Sequence, residues 1–435
     1  MDDKRFESKY PTKSRFEEIE KILGFIKEGK SVQMVSIPGV GRSNLLGLLS
    51  FNRNVRIEHL GEDEQVKFHF VLVNFTEVKG KPLTDLTKFL FLSLVDSLRE
   101  RNILEDYKKV DEIFKDSISS QDELVIFHGL KKTIDYLALE KDLTVTFLFD
   151  RFESYLPNLT SQFFINLRAL RNQAKYKFSA VFSLNHPLSE TLDPTIWEDF
   201  YDFLAENVVY LPIKDDPSLE FRTTHLQEII GTKIDRKIID EVVELTGGHA
   251  RLTRFALEEI AKDKPENLKD SLLKSERINS ALFEIWKALT PAEQEALETL
   301  KNVPEYLVNV GLIKNNMITI PLFSSFIEKQ KTEHKNEDFV FDQTKNEIRK
   351  GRVTYSNGLT SSEFKLFKFL LENKESIVLR EDVINAVWGE LKSTAGVTEQ
   401  ALDQLIFRLR KKIEENPNSP IHIQTIKGRG YQFKS

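Results

Sequence analysis

The chain has 435 residues, of which 40% are hydrophobic and 30% charged, so its length allows two to four ordinary globular domains. It contains no cysteine, which excludes disulfides and thiolate metal sites, and no stretch approaches the roughly eighteen uncharged apolar residues of a membrane-spanning helix. The net charge of −6 is uneven: residues 339–435 hold 16 lysines and arginines against 12 acids, and the remainder holds 46 against 56, so the C-terminal end is expected to meet an acidic partner such as DNA.

From Arg15 to about residue 213, short apolar strands alternate with helices. The predicted strands are Val32–Ile37, Phe68–Phe75, Leu143–Phe149, Phe178–Leu184 and Val208–Ile213. The predicted helices include Phe16–Lys27, Pro82–Arg101 and Ser161–Tyr176. The stretch Ser120–Glu123 is typical of a capping box that opens a further helix. Continuous apolar strands separated by helices favour a parallel sheet covered on both faces, so residues 1–213 are predicted to form an α/β core.

Two further segments follow this core. Residues 214–278 have an all-helical pattern and are predicted to form a lid. In residues 279–330, a capping box at Thr290–Glu293 with proline at the first helical position is followed by a short helix at Pro304–Val310 and a hairpin with an Asn-Asn turn. Helix, helix and hairpin are the order of a small winged helix, and the charged run at 331–338 is predicted to be a linker.

Residues 339–435 form the last predicted domain, which opens with short strands and ends in a hairpin turned on glycines. Its helices are predicted at Ser361–Leu371, Arg380–Val387 and Thr398–Glu415. Its spaced motifs are Leu359-Thr360 with Glu363-Phe364, Arg380-Glu381, Val387-Trp388-Gly389, Leu409–Ile413 and Ile426–Tyr431. In these motifs the segment resembles the OmpR/PhoB-type winged-helix effector domain over nearly its whole length. The resemblance implies a winged-helix fold that binds double-stranded DNA.

The third of these helices has two contrasting faces. A stripe at helical spacing, predicted to be core, consists of Leu402, Leu405, Leu409 and Ile413. The opposite face, predicted to lie in a major groove, consists of Gln400, Gln404, Arg408 and Lys411, with Phe407 and Lys412 flanking it. Glutamine pairs with adenine edges and arginine with guanine, whereas Phe407 is expected to meet a thymine methyl group or a protein. In the hairpin, Thr425, Lys427 and Arg429 are expected at phosphates or in the minor groove. The alternative is a solvated face that contacts nothing.

The stretch SIPGVGRSN, which begins at Ser36, lies between the first predicted strand and an apolar helix. This is the layout of a phosphate-binding P-loop, in which glycine amides and the helix dipole hold phosphate groups. Gly39 and Gly41 preserve part of the cradle, and Ser43 keeps the hydroxyl that contacts Mg²⁺. Ser36 replaces the first glycine of the motif, and Arg42 replaces the lysine and places its charge differently. We therefore expect ATP or ADP with Mg²⁺ to bind, but with impaired affinity.

Further short motifs follow the order found in STAND and AAA+ ATPases, including origin-recognition ATPases. Ser14–Ile19 resembles the opening motif of those proteins. Asp150 lies at the end of one apolar strand, and Asn185 lies at the end of the next. Arg251 is the last residue of the run Gly-Gly-His-Ala-Arg. The resemblance implies a Walker B aspartate that holds Mg²⁺, a sensor-1 asparagine that positions water and a sensor-2 arginine that grips phosphate. It also implies that Tyr10 and Pro11 lie near an adenine, and that residues 14–330 form one ATPase module.

Efficient ATP hydrolysis is not expected from this sequence. In the ATPases that it resembles, an acid that polarises water follows the Walker B aspartate, but Arg151 follows Asp150 here. Glu153 is close in the sequence, but it is expected to point elsewhere. Three possibilities stay open for the module: it binds nucleotide without useful turnover, it is an empty scaffold, or it is a slow ATPase.

Together these features predict a cytoplasmic DNA-binding transcription regulator, since the N-terminus has no apolar signal-peptide core. Its degenerate STAND-like module would sense nucleotide or a partner and control assembly. The resemblance implies self-association on DNA and contact with RNA polymerase through the loop Glu390–Val397. The alternatives are an active ATP-hydrolysing STAND switch and a passive DNA-bound platform for protein interactions that uses no nucleotide.

Overall fold

The structure, a computed structural model, describes most of the chain in two compact units, Met1–Ile327 and Glu328–Ser435, each with its own apolar core. The residues outside the description are 1–4, 102, 121, 263, 264, 266, 337, 344, 351, 352, 390–398, 415 and 435. Among the helices of the described residues, none combines the length and the apolar character needed to cross a membrane.

A five-stranded parallel sheet forms the centre of the first unit. Its strands are β1 (Val32–Val35), β2 (Phe68–Asn74), β3 (Thr144–Asp150), β4 (Phe178–Leu184) and β5 (Val208–Tyr210). They lie in the order β2-β3-β4-β1-β5, and every neighbouring pair is parallel. Both β1 and β4 are buried at every residue, which explains why apolar residues predominate in their sequences. The predicted α/β class is confirmed, and β1 lies between β4 and β5.

Helices cover this sheet, and the first of them is amphipathic, since the buried residues of α1 recur every three or four positions. They are α1 (Phe16–Lys27), α2 (Arg42–Phe51), α3 (Arg53–Leu60), α4 (Leu83–Glu100), α5 (Leu104–Ile118), α6 (Glu123–Asp135), α7 (Ser161–Gln173), α8 (Leu188–Thr191) and α9 (Pro194–Trp197). The capping box predicted at Ser120 is wrong. The Asp122 carboxylate caps α6 by accepting a hydrogen bond from the Leu124 amide, and the Ser120 hydroxyl accepts one from the Asp122 amide. An aspartate directly before the helix therefore does the capping.

A helical segment and a helix–hairpin module follow the sheet. The helical segment consists of α10 (Asp216–Ile230), α11 (Arg236–Thr246), α12 (Ala250–Ile260) and α13 (Leu268–Lys274). The module consists of α14 (Glu276–Ala288), α15 (Pro291–Thr299), α16 (Glu305–Asn309), β6 (Ile313–Lys314), β7 (Met317–Ile318) and α17 (Pro321–Asn336). Both hydrogen bonds of the Thr290–Glu293 capping box are present, which confirms that prediction. The hairpin turns on Asn315 and Asn316, which have φ of 51° and 57°, as a tight primed turn requires.

The charged run predicted as a linker, 331–338, is helical over most of its length. Helix α17 continues through it to Asn336. This run contains no proline or glycine that would stop a helix, and lysine and glutamate are good helix formers, so the helix persists beyond its apolar part.

The second unit combines two small antiparallel sheets with three helices among its described residues. Its elements are β8 (Phe339–Asp342), β9 (Glu347–Lys350), β10 (Val353–Thr354), α18 (Ser361–Glu372), β11 (Ile377–Leu379), α19 (Arg380–Trp388), α20 (Glu399–Ile413), β12 (Ile423–Ile426) and β13 (Gly430–Phe433). The sheets have the orders β10-β9-β8 and β11-β13-β12. Thr360 and Glu363 form the predicted capping box at the start of α18. Three helices followed by a hairpin confirm the predicted winged-helix fold.

Helix α20 packs its predicted apolar stripe into the core of this unit. Leu402, Leu405 and Leu409 are completely buried, and Ile413 is 8% exposed. The opposite face is therefore left on the outside of the unit, as its polar composition indicates.

Candidate nucleotide site and nucleic-acid interface

The loop between β1 and α2 uses its glycines in the way a phosphate cradle requires. Gly39 and Gly41 have φ of 84° and 115°, which side chains rarely allow. A Cβ atom on Gly39 would also lie 2.7 Å from Cε1 of His249. Ser36, in contrast, does not have a left-handed backbone, and its hydroxyl donates to the Ile37 carbonyl at 3.0 Å. The replacement of the first glycine by serine is thus accommodated without strain.

Arg42, at the position of the motif's lysine, is engaged by two partners in the first unit. One terminal nitrogen donates to Oδ1 of Asn185 at 2.7 Å, and the other lies 2.7 Å from Oε1 of Glu153. The Arg42 and Glu153 side chains are only 13% and 22% exposed. The expectation that Glu153 points away from the site is therefore wrong. Arg151 has φ of 54° and begins a short 3₁₀ turn that directs Glu153 back toward Arg42.

Ser43 and Asp150 form the pair to which a Mg²⁺ ion would bind. The Ser43 hydroxyl donates to Oδ1 of Asp150 at 2.9 Å, and Asp150 is buried at the end of β3. A carboxylate and a hydroxyl beside glycine amides are a donor set suited to Mg²⁺ and phosphate. These residues fit a Mg-nucleotide, whereas Arg151 is exposed and supplies no carboxylate next to Asp150.

His249 connects the helical segment to the phosphate loop. Its Nε2 donates to the carbonyl of Pro38 at 2.8 Å, and its Nδ1 accepts from the Leu252 amide at 3.2 Å, which caps α12. Burial lowers the pKa of His249 to about 4, although the bond to Pro38 opposes this shift. One nitrogen donates and the other accepts, so the neutral imidazole matches both contacts.

Arg251, the sensor-2 candidate, lies beside the same loop. Its amide donates to the Gly39 carbonyl at 3.2 Å, and its guanidinium pairs with Glu284 on α14. The side chain thus lies at the predicted site, but its charge is balanced by a carboxylate of the helix–hairpin module.

Two cavities share part of their lining at the phosphate loop. The polar cavity, about 490 Å³, is lined by Gly39, Gly41, Arg42, Ser43, Asp150, Glu153, Asn185, Arg251 and Glu284, among others. The apolar cavity, about 320 Å³, is lined by Phe6, Tyr10, Leu45, Leu48, Leu219 and Leu226, among others. Gly41, Asn44, Arg222 and Arg254 border both. A polar and an apolar compartment side by side suit the phosphate and base of a nucleotide, and Tyr10 lines the apolar one.

The helix–hairpin module contacts the end of β4 through residues that sequence reasoning did not single out. The Tyr306 hydroxyl donates to the backbone carbonyl of Asn185 at 2.8 Å, and its ring stacks on His186 at 4.2 Å. Nε2 of His186 lies 3.0 Å from Oε2 of Glu293. Burial alone would raise the pKa of Glu293, but hydrogen bonds from His186 and the Thr290 backbone bring it below its ordinary value. The capping box was the only sequence signal for Glu293.

Every α20 side chain that is predicted to meet DNA is exposed on the outer face of this helix. These are Gln400, Gln404, Phe407, Arg408 and Lys411, and the Phe407 side chain is 40% exposed. Thr425, Lys427 and Arg429 are also exposed, the last two in the turn between β12 and β13. The surface therefore combines amide and guanidinium groups on one helix face with two cations on a hairpin.

Residues 356–433 match the family described as transcriptional regulatory protein, C terminal. They are an OmpR/PhoB-type DNA-binding domain. The chain is 37% identical over 81 residues to the sensory transduction protein RegX3 of Mycobacterium leprae, and 33% identical over 94 residues to the phosphate regulon transcriptional regulatory protein PhoB of Escherichia coli. These alignments cover 19% and 22% of this chain, and only 39% and 38% of the two relatives.

Some solved structures are similar over more of the chain. One is a Walker-type ATPase of Pyrococcus abyssi, which is 16% identical and has a TM-score of 0.47. The match covers 72% of this chain and 95% of the ATPase. The Orc1 protein of Aeropyrum pernix, solved in complex with DNA, has 14% identity and a TM-score of 0.39, and covers 77% of this chain and 88% of its own. Likeness at this level carries no conclusion about activity.

The OmpR/PhoB-type domain contains one positioning residue that the sequence did not reveal. Nε and Nη2 of Arg410 donate to the Ile423 carbonyl at 3.0 and 2.6 Å, and Nη2 also donates to the Thr425 hydroxyl at 2.8 Å. Arg410 therefore holds the hairpin strand β12 against α20. The loop Glu390–Val397, predicted to contact RNA polymerase, lies outside the described residues.

Proposed function

We propose that this protein is a sequence-specific DNA-binding transcription regulator whose first unit binds a nucleotide and controls assembly on DNA. The observation that carries the proposal is the exposed face of α20, with Gln404 and Arg408, within the OmpR/PhoB-type domain. Its glutamines and arginine are the groups that read base edges in a major groove, and Lys427 and Arg429 suit the phosphates on either side.

The phosphate loop supports nucleotide binding by the first unit. Gly39 and Gly41 supply a cradle that tolerates no side chain, Ser43 and Asp150 would hold Mg²⁺, and the apolar cavity beside them would take a base. Bound there, ATP or ADP would supply a charged phosphate group to which Arg42 and Arg251 respond. Arg151 after the Walker B aspartate argues against efficient turnover.

A chain of contacts links this loop to the helix–hairpin module. Arg42 is bonded to the side chain of Asn185, the carbonyl of Asn185 is bonded to Tyr306, and His186 is paired with Glu293. Any change in the partners of Arg42 therefore reaches the surface on which α15 and α16 pack. In this proposal the module's packing reports the state of the loop, and self-association on DNA and contact with RNA polymerase follow from that state.

One observation favours a second candidate, the ATP-hydrolysing switch. Glu153 lies 2.7 Å from Arg42 and lines the polar cavity, so a carboxylate is present there although Arg151 occupies the usual position. This candidate requires phosphate release that disappears in Asp150→Ala and Glu153→Gln. The third candidate, a passive platform, requires that no nucleotide binds.

The DNA-binding proposal is tested on sites selected from a random double-stranded library with the full-length protein. Arg408→Ala is expected to weaken binding by about 1–3 kcal/mol and to relax specificity at one base position. Lys427→Ala is expected to weaken binding to all DNA sequences alike, and to reduce by about 1 the slope of log affinity against log salt concentration. Arg236→Ala, an exposed arginine on α11, is the control. Unchanged binding by Arg408→Ala would show that α20 is not the recognition helix.

The nucleotide part is tested by calorimetric titration with Mg-ATP and Mg-ADP. Saturable binding that is lost in Arg42→Ala and weakened in Asp150→Ala supports a working cradle. A folded wild-type protein that gives no heat at millimolar nucleotide contradicts nucleotide sensing and favours the passive platform.

A further inference from the structure

The polar cavity contains two arginine–glutamate pairs that face the phosphate loop from different sides. Arg42, at the start of α2, is paired with Glu153, and Arg251, on α12, is paired with Glu284. All four residues line the cavity. Two of the five arginines that line the cavity are therefore already paired with carboxylates of the same chain.

The two pairs differ in how strongly solvent screens them. The side chains of Arg42 and Glu153 are 13% and 22% exposed, whereas those of Arg251 and Glu284 are 33% and 51% exposed. A pair that is largely withdrawn from water interacts more strongly than an exposed one, because water and salt screen it less. One terminal nitrogen of Arg42 also donates a hydrogen bond to Asn185, and the other lies at ion-pair distance from Glu153. Glu153 is thus the stronger competitor for an incoming anion.

We propose that Glu153 and Glu284 act as internal counter-ions that occupy Arg42 and Arg251 in place of phosphate. This inference rests on the proposed nucleotide site and adds how its affinity is set. A triphosphate or diphosphate chain binds there by exchange, in which each arginine gives up a carboxylate and gains a phosphate oxygen. A carboxylate and a phosphate compete for the same guanidinium group because both accept hydrogen bonds from its paired N–H groups.

The exchange at Arg251 has a consequence beyond affinity. Glu284 belongs to α14, the first helix of the helix–hairpin module, and Arg251 belongs to α12. When Arg251 holds phosphate, the ion pair between these two helices is released. The module is thus connected to the cavity by a second route, independent of the contact between Tyr306 and Asn185.

The test compares wild type with Glu153→Gln, Glu284→Gln and the double variant by calorimetric titration with Mg-ATP and Mg-ADP. Glutamine keeps the shape of glutamate but not its charge. Glu153→Gln is expected to bind about tenfold more tightly, Glu284→Gln about threefold, and the double variant about thirtyfold. Glu62→Gln is the matched control, because Glu62 pairs with Arg53 at 3.2 Å on an exposed surface. Thermal unfolding of each variant establishes that it is folded.

Affinities of Glu153→Gln and Glu284→Gln equal to or below that of wild type would overturn the inference, even when wild type binds nucleotide as proposed. The opposite combination is also informative. If wild type binds no nucleotide and the double variant does, the counter-ions exist but the native chain does not sense nucleotide. If neither binds, both proposals are wrong.

Discussion

The buried imidazole of His249 should make the first unit sensitive to mild acid. The pKa of a histidine is ordinarily 6.5 and is about 4 for His249, because burial disfavours the charged form. The unfolded chain therefore takes up a proton at a higher pH than the folded chain does. Stability is fully present above pH 6.5 and is lost as the pH falls toward 4. The loss attributable to this group is on the order of 3 kcal/mol at pH 4 and about 2 kcal/mol at pH 5.

The measurement is urea unfolding of wild type and His249→Asn at pH 7 and pH 5. Asparagine retains a helix-capping side chain but does not titrate. Both proteins carry Trp388→Phe, so that fluorescence reports Trp197 and Trp286 of the first unit. The difference in the free energy of unfolding between the two proteins should change by about 2 kcal/mol between the two pH values, in favour of the asparagine variant at pH 5. A difference that stays constant with pH would refute the assignment of a neutral, buried imidazole.

Three further predictions concern packing and backbone conformation. Gly39→Ala should lower the free energy of unfolding by at least about 1–2 kcal/mol and abolish nucleotide binding, since residue 39 has a positive φ and the new Cβ would contact His249. Gly24→Ala is the comparison: Gly24 has open space around it and no positive φ, so the change should stabilise α1 by about 0.5–1 kcal/mol. Thermal unfolding and calorimetric titration compare the two variants. Leu405→Ala should destabilise the second unit by about 2–5 kcal/mol in unfolding followed through Trp388, and a loss below 1 kcal/mol would contradict its burial. Tyr306→Phe should lower the stability of the first unit by about 0.5–1.5 kcal/mol, because the Asn185 carbonyl loses its donor; unchanged urea unfolding would contradict that hydrogen bond.

Local sequence signals were enough to predict much of the fold. The strands of the parallel sheet are buried on both faces and so read as apolar runs, and the capping boxes at Thr290 and Thr360 depend only on residues three positions apart. The outward face of α20 follows from helical spacing, because the stripe through Leu405 must be inside.

The contacts that complete the site could not be predicted in this way. The bonds from His249 to Pro38 and from Tyr306 to Asn185 join residues far apart in the chain, and no periodicity encodes them. The direction of Glu153 depends on the left-handed backbone of Arg151, a residue with no obvious preference for it. Long-range packing, rather than residue type, decides these positions.

The hydrogen bonds of Arg410 hold helix α20 and the hairpin strand β12 together in the second unit. Because one guanidinium donates to both the Ile423 carbonyl and the Thr425 hydroxyl, the position of the hairpin relative to helix α20 is set by these bonds. If both elements contact DNA as proposed, the bases under the helix and those under the hairpin would be contacted at a set separation. Inserting a single base pair between these two groups of bases, a step of about 3.4 Å, would put either the helix or the hairpin out of register with its bases.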